Sequence, residues 1–329
     1  MIHPHTLRHR GLNRLTLSLE APMSTRRIRL AALAAALTAT AALTAGCGSS
    51  GSSGGTGAKP GASAIPAPSA VASLAALVPA DVKAGGKLVV ATDASYAPNE
   101  FKDAGGNIVG MDVDLAKAIA QTLGLTADVQ NATFDSIIPG MTAKKYQMSL
   151  SSFTDTKDRE ASVDMVTYFS AGTGTAVKKG NPSKVDPTDL CGKKVAVQTG
   201  TTQADEIKNT LNPACQKAGK PTIPNDGDKF DLQTDVTTAL VSGRDDAMLA
   251  DSPVVDYAVQ QTGGQLQTLG DVTDTAPYGV VLPKGTDLTK AVQGAVQALM
   301  ADGTYQAILT KWGVQAGAVT TSTIDGATS

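Results

Sequence analysis

Between residues 85 and 313 the chain alternates short apolar runs with stretches whose apolar residues recur every three or four positions, a pattern of strands alternating with helices. Lys87 to Thr92 (KLVVAT), set off by Gly85-Gly86, predicts a buried strand, and Asp103 to Asn107 (DAGGN) has hairpin chemistry. Asp112 is placed to cap a helix whose Ala116, Ile119, Ala120 and Leu123 share one face until Gly124. Leu125 to Val129 predicts a second strand, Asp135 to Ala143 a short helix interrupted at Pro139-Gly140, and Gln147 to Ser151 a strand. The alternation restarts near Val177, with strand Lys194 to Gln198, helix Gln203 to Leu211, strand Thr222 to Pro224, helix Gln233 to Val241 and strand Asp246 to Ala250. Ser252-Pro253 is an N-cap and first-turn proline for another helix, Tyr278 to Leu282 a strand, Asp287 the cap of a helix through Leu299, and Gly303 to Trp312 a last helix. Such alternation predicts parallel sheets with covered faces, which bind ligands at the carboxyl ends of their strands.

Residues 23 to 47 follow a different pattern. Arg26, Arg27 and Arg29 precede an Ala/Leu/Thr run that ends in Leu43-Thr44-Ala45-Gly46-Cys47, which reads as a secretory leader closing on a lipobox-like cysteine. The run is short and weakly apolar for a membrane span, and Thr44 stands where a lipobox usually carries Leu. This predicts a start at Met23 after an extension over 1–22, a signal peptide over 23–46, and a mature chain beginning at a lipid-modified Cys47. Gly48 to Ser73 is nearly all Gly, Ser, Ala, Pro and Thr, so residues 47–84 are expected to be a flexible linker. Its average reach is about 35 Å, enough to hold a domain clear of the outer face of the cell membrane.

About 240 residues remain, a comfortable length for two lobes with separate cores. Beyond residue 46 there are 22 Lys+Arg against 29 Asp+Glu, a net of −7 that argues against nucleic acid as a partner. His3, His5 and His9 all lie upstream of the leader, so the mature chain would contain no histidine. That excludes Ser-His-Asp and Cys-His catalysis and a His-ligated zinc, and leaves paired carboxylates or a Ser-Lys pair. No metal and no cofactor is expected. With Cys47 lipidated, Cys191 and Cys215 remain in an exported chain, where a disulfide is the expectation and two buried thiols the alternative.

The mature chain has only two arginines, Arg159 and Arg244, beside twenty lysines. A guanidinium is a planar fork that fits a carboxylate, and Arg159 follows the polar stretch Ser151-Ser152-Phe153-Thr154 after a strand, although a surface arginine would look the same. Gly200-Thr201-Thr202 sits between a strand and a helix, where free N–H groups favour an anion or simply a cap. Asp251 ends a strand just before a helix start, a position that serves a cap as readily as a site.

Eight blocks in order resemble family 3 of the bacterial extracellular solute-binding proteins, the polar amino acid receptors of ABC importers. They are LVVATDASYAPNEF (88 to 101), GMDVDLAKAIAQTLG (110 to 124), FDSIIPGM (134 to 141), SSFTDTKDR (151 to 159), GKKVAVQTGTTQAD (192 to 205), ALVSGRDDAMLADSPV (239 to 254), YGVVLPKGTDL (278 to 288) and DGTYQAILTKWG (302 to 313). The resemblance implies an α/β fold of the periplasmic-binding-protein-like type II, two α/β lobes joined by a two-strand hinge. Lobe 1 is expected over 85–172 and 279–316, lobe 2 over 173–278, and a disordered tail over 317–329.

It further implies that Arg159 and the amides of Thr201 and Thr202 hold a ligand carboxylate, while Asp251, with oxygens around Ser151, Ser152 and Thr154, holds the ammonium. Tyr96 and Phe134 would wall the ligand side chain, Phe134 being equally a core candidate, and Asp93 would meet its distal group. Asn99 departs from the family's commoner aromatic or Pro, and Gln147 stands where many relatives have Asp. The implied protein is a monomeric receptor that captures a free amino acid and delivers it to an ABC permease, not an enzyme. The alternatives are a same-fold, cyclohexadienyl-dehydratase-like enzyme, with Asp93 or Glu100 as its acid or base, and an extracellular sensor module.

Overall fold

The computed structural model describes residues 65–328; the leader, Cys47, the extension and the linker up to residue 64 lie outside the described residues. Two short helices, α1 (Ala72–Ala75) and α2 (Ala80–Gly85), occupy the end of what was expected to be flexible linker. Val71, Leu74, Val78 and Val82 recur at helical spacing; Val78 and Val82 are buried, and a Cβ on Gly294 would come within 2.4 Å of Leu74. This apolar stripe docks the segment on the folded body, so the flexible-linker expectation fails over 71–84.

β1 (Lys87–Thr92) leads into a small sheet of β2 (Ser95–Tyr96), β3 (Glu100–Lys102) and β4 (Ile108–Val109), with the expected turn closed by Asp103, whose Oδ1 accepts the Gly105 and Asn107 amides at 2.8 Å. α3 (Met111–Thr122) is capped by Gly110, not by Asp112, whose carboxylate turns into the core. A Cβ on Gly110 would lie 2.1 Å from the Asn99 carbonyl oxygen, so only glycine allows this approach. β5 (Thr126–Asn131) and α4 (Phe134–Thr142) follow. α4 runs unbroken through Pro139-Gly140, because the proline forfeits a single helical bond in so short a helix.

β6 (Met148–Ser149), α5 (Lys157–Glu160) and the 16-residue β7 (Val163–Lys178) complete the first half. Then come β8 (Val195–Gln198), α6 (Thr202–Glu206), a π-helical turn over Ile207–Leu211 and α7 (Asn212–Lys217), one longer helical run than expected. β9 (Asp228–Phe230) replaces the strand expected at Thr222 to Pro224, which is irregular and ends in a 3-10 turn. α8 (Gln233–Ser242), β10 (Ala247–Asp251) and α9 (Ser252–Gln261) follow, with Asp251 and not Ser252 as the α9 N-cap. β11 (Leu266–Thr268), β12 (Thr273–Pro283), α10 (Leu288–Ala301) and α11 (Thr304–Trp312) finish the order.

Among the described residues nine strands form one sheet in the order β5-β1-β6-β12-β7-β10-β8-β9, with β11 also on β7. It is mixed, not parallel throughout: β1 pairs in parallel with β5 and β6, and β8 with β9 and β10, but β7 and β12 run antiparallel to each other. β7 pairs with β12 over its first part and with β10 and β11 over its last, so it threads both halves. One large core lies under α3, α10 and α11, and separate cores lie under α8–α9 and around β8, as a two-lobed α/β fold requires.

Residues 317–328, expected to be disordered, are packed. Ile324 bridges to Val166, the Asp325 N–H donates to the Met165 carbonyl at 2.7 Å, and Thr323 and Thr167 exchange backbone and hydroxyl bonds. The tail satisfies backbone groups on a β7 edge that would otherwise lie open. Cys191 and Cys215 form a disulfide with Cα atoms 5.6 Å apart. Among the described residues no helix is long and apolar enough to cross a membrane.

Candidate functional site

The carboxyl ends of β1, β6, β8 and β10 converge, and the loops that leave them carry most of the residues singled out in the sequence. Nine of the ten expected ligand residues line one narrow cavity of about 10 Å³, Ser151 being the exception. Gln198 and Gln203 join them and were not anticipated; their positions, at a strand end and in the first turn of α6, were the available signal.

Arg159 lies on α5, whose N-cap Thr156 accepts the Arg159 N–H through its hydroxyl at 3.2 Å. Its half-buried guanidinium sits 5.1 Å from the Phe153 ring centre and 5.5 Å from that of Phe134, and the two rings stack at 4.2 Å. It donates to the Thr154 carbonyl at 2.7 Å and to the Gly200 carbonyl at 3.1 Å, spanning the cleft from the β6 loop to the β8 loop. Burial pulls its pKa down to about 10, opposed first by the carboxylate of Asp251 and then by those of Asp205 and Asp155, so it is a cation at neutral pH. Beside it, Thr201 caps α6 and accepts the Ala204 N–H at 3.3 Å, which leaves a helix start facing the cavity.

Asp251 is buried at 5% exposure. It accepts from the Tyr278 hydroxyl at 2.6 Å and the Gln203 amide at 2.8 Å, and its own N–H donates to the Tyr96 hydroxyl at 3.0 Å. Burial raises its pKa, and bonds from Tyr278, Gln203 and Tyr96, with the charge of Arg159, pull it back. Asp93 accepts from the Ser95 hydroxyl, the Phe134 N–H and the Gln198 amide at 2.6, 2.9 and 3.0 Å, so the last of these bonds crosses the cleft. Burial raises the Asp93 pKa as well.

Ser151 points away from the cavity, donating to Glu100 at 3.2 Å and accepting the Asp93 N–H at 2.9 Å. Ser152 takes a left-handed φ of 52°, its N–H held by Asp112 at 2.7 Å and its hydroxyl near Asn99, Glu100 and Asp112. Asn99 is therefore part of the support behind the site, and Gln147, which accepts the Val89 N–H at 2.7 Å, is structural. Glu100 is fully buried behind the two serines. A wider vestibule of about 340 Å³ adjoins the cavity, sharing Thr154, Thr202, Gln203 and Asp251, and is walled by Asp205, Glu206 and Asp274. Burial and then the charge of Asp274 raise the Glu206 pKa, the mark of a locally negative surface.

The chain is 33% identical to the arginine-binding protein ArgT of Corynebacterium glutamicum, over 74% of this chain and 80% of that one. It is 33% identical to a putative ABC transporter arginine-binding protein 2 of Escherichia coli, over 68% and 88%. Among solved structures it resembles the ancestral amino acid-binding protein AncCDT-1, a precursor of cyclohexadienyl dehydratase, with a TM-score of 0.63 and 34% identity over 70% of this chain and 97% of that one. Residues 88–315 match the family model of the bacterial extracellular solute-binding proteins, family 3, and the chain belongs to that family.

Proposed function

We propose that this protein is the extracytoplasmic substrate-binding component of an ABC importer, anchored by lipid at Cys47, and that it captures a free amino acid with a basic side chain. The carrying observation is that a guanidinium, a helix start and a buried carboxylate share one cavity: Arg159, Thr201 with Thr202, and Asp251. Arg159 and the Thr201–Thr202 amides grip the ligand carboxylate, and Asp251, with Thr154 and Ser152, receives the ammonium. Tyr96 and Phe134 flank the side chain, and Asp93 takes its far end. The acidic vestibule favours a cation, and two of the three similar proteins named above carry arginine binding in their names.

The lobes are residues 85–172 with 279–316, and residues 173–278, hinged on β7 and β12. Ligand contacts made to both lobes favour the shut state, which the permease reads. Calorimetry and thermal unfolding against the twenty amino acids test this reading. A ligand at a hundredfold its Kd stabilises by about 2.7 kcal/mol, a Tm rise of roughly 5–10 °C; no response to any amino acid rejects it. AncCDT-1 is itself an amino acid-binding protein, and its standing as a precursor of a dehydratase gives the second reading, but the burial of Glu100 removes one of the two acids the sequence offered. Release of product from a cyclohexadienyl acid would decide for the enzyme.

A further inference from the structure

The last described residues run back to the ligand-facing loop. Gly326 donates its N–H to the Asp155 carboxylate and Ala327 donates to the Glu160 carboxylate, each at 2.9 Å. Asp155 directly follows Thr154, whose carbonyl holds the Arg159 guanidinium, and Glu160 directly follows Arg159. The tail therefore grips the loop at both ends of the segment that aims the guanidinium. Asp155 is 0% exposed, and its N–H is fixed to the Pro277 carbonyl at 2.7 Å, so a shift there is transmitted to Thr154 and not absorbed by solvent.

The tail is itself anchored. Asp325 bonds Met165 through both its N–H and its carboxylate and meets Lys284 at 2.9 Å, and the Ser322 carbonyl accepts from Gln293 at 3.0 Å. At Gly326 a Cβ would lie 2.5 Å from the Thr323 hydroxyl and 2.9 Å from a Thr167 methyl, so a side chain there would have to displace Thr323 and Thr167. The tail residues that make these contacts, Ser322 to Ala327, lie beyond residue 315, where the family match ends.

We propose that residues 320–328 are a strap that sets the position of the Thr154–Arg159 loop and so tunes the grip of Arg159 on the ligand carboxylate. The proposal rests on the amino acid-binding reading for its second half only. The test compares the full chain with a variant lacking residues 320–329 and with Gly326→Val. Hydrogen exchange at amides of residues 155–162 is read without ligand, and the affinity for arginine is read by calorimetry. Both variants are expected to exchange faster over that loop and to bind about 2- to 30-fold more weakly. In an Arg159→Lys background the deletion is expected to add little further loss, because both changes act on one contact.

Unchanged exchange overturns the strap, and so does unchanged affinity or a fully additive loss with Arg159→Lys, which would mark the tail as a generic stabiliser. If the full chain binds no amino acid, the receptor reading fails, while the exchange comparison still decides whether the strap positions the loop.

Discussion

At the scale of single residues, Arg159 concentrates the argument, being stacked on Phe153 and bonded to carbonyls on both sides of the cleft. Arg159→Ala is expected to cost about 2–5 kcal/mol of binding, because it strands a ligand carboxylate in a desolvated site; calorimetry that finds unchanged affinity refutes the assignment. Behind the site, Glu100 and Asp112 are both fully buried. Burial and the charge of Asp112 push Glu100 well above the usual carboxylate range, and burial raises Asp112 to about 6. Groups with raised folded values bind protons more tightly when folded, so their stabilisation is full at low pH and is lost as pH rises towards the folded values. Stability by urea denaturation is expected to fall as pH rises from the ordinary carboxylate range through about 6 and above, and to fall less steeply in Glu100→Gln, which keeps a donor and removes the titration; parallel curves would reject the raised Glu100 titration. The convergence of nine of these residues on one cavity was legible from motif order, whereas the inward turn of Ser151 was not, since it depends on a buried acid pair brought together only by the fold.

At the scale of elements, the helices with clear apolar spacing, α3, α8 and α10, fell close to their expected bounds. β7 was hidden because most of it is buried on both faces, and its Ser, Gly and Thr residues interrupt any alternation. The helix over Ala80–Gly85 and the packed tail were missed for a common reason, that small and polar composition masks a few apolar or bonded anchors when their receiving surface is unknown. The disulfide joins the segment before β8 to α7, away from the cavity lining. Replacing Cys191 and Cys215 together by Ala is expected to lower stability by about 3 kcal/mol with little change in ligand affinity, as measured by urea unfolding and calorimetry. A large loss of affinity would show the bridge to be part of the site.

At the scale of the whole molecule, the proposed receptor reading makes β7 and β12 the ribbon on which the two halves turn. Their pairing is continuous except at register shifts between Thr273 and Ala276 and between Tyr278 and Gly279. At Gly172 the strands come so close that a Cβ would lie 2.3 Å from the Thr273 carbonyl oxygen. Two ladder-bonded strands resist twisting and sliding, while bulges relieve the ladder at defined points and let it flex. The halves are thereby left with little more than one soft coordinate, like a door on a single pin. Whatever enters the cleft does not have to teach the molecule where to go; it has only to decide how far along one fixed arc it rests.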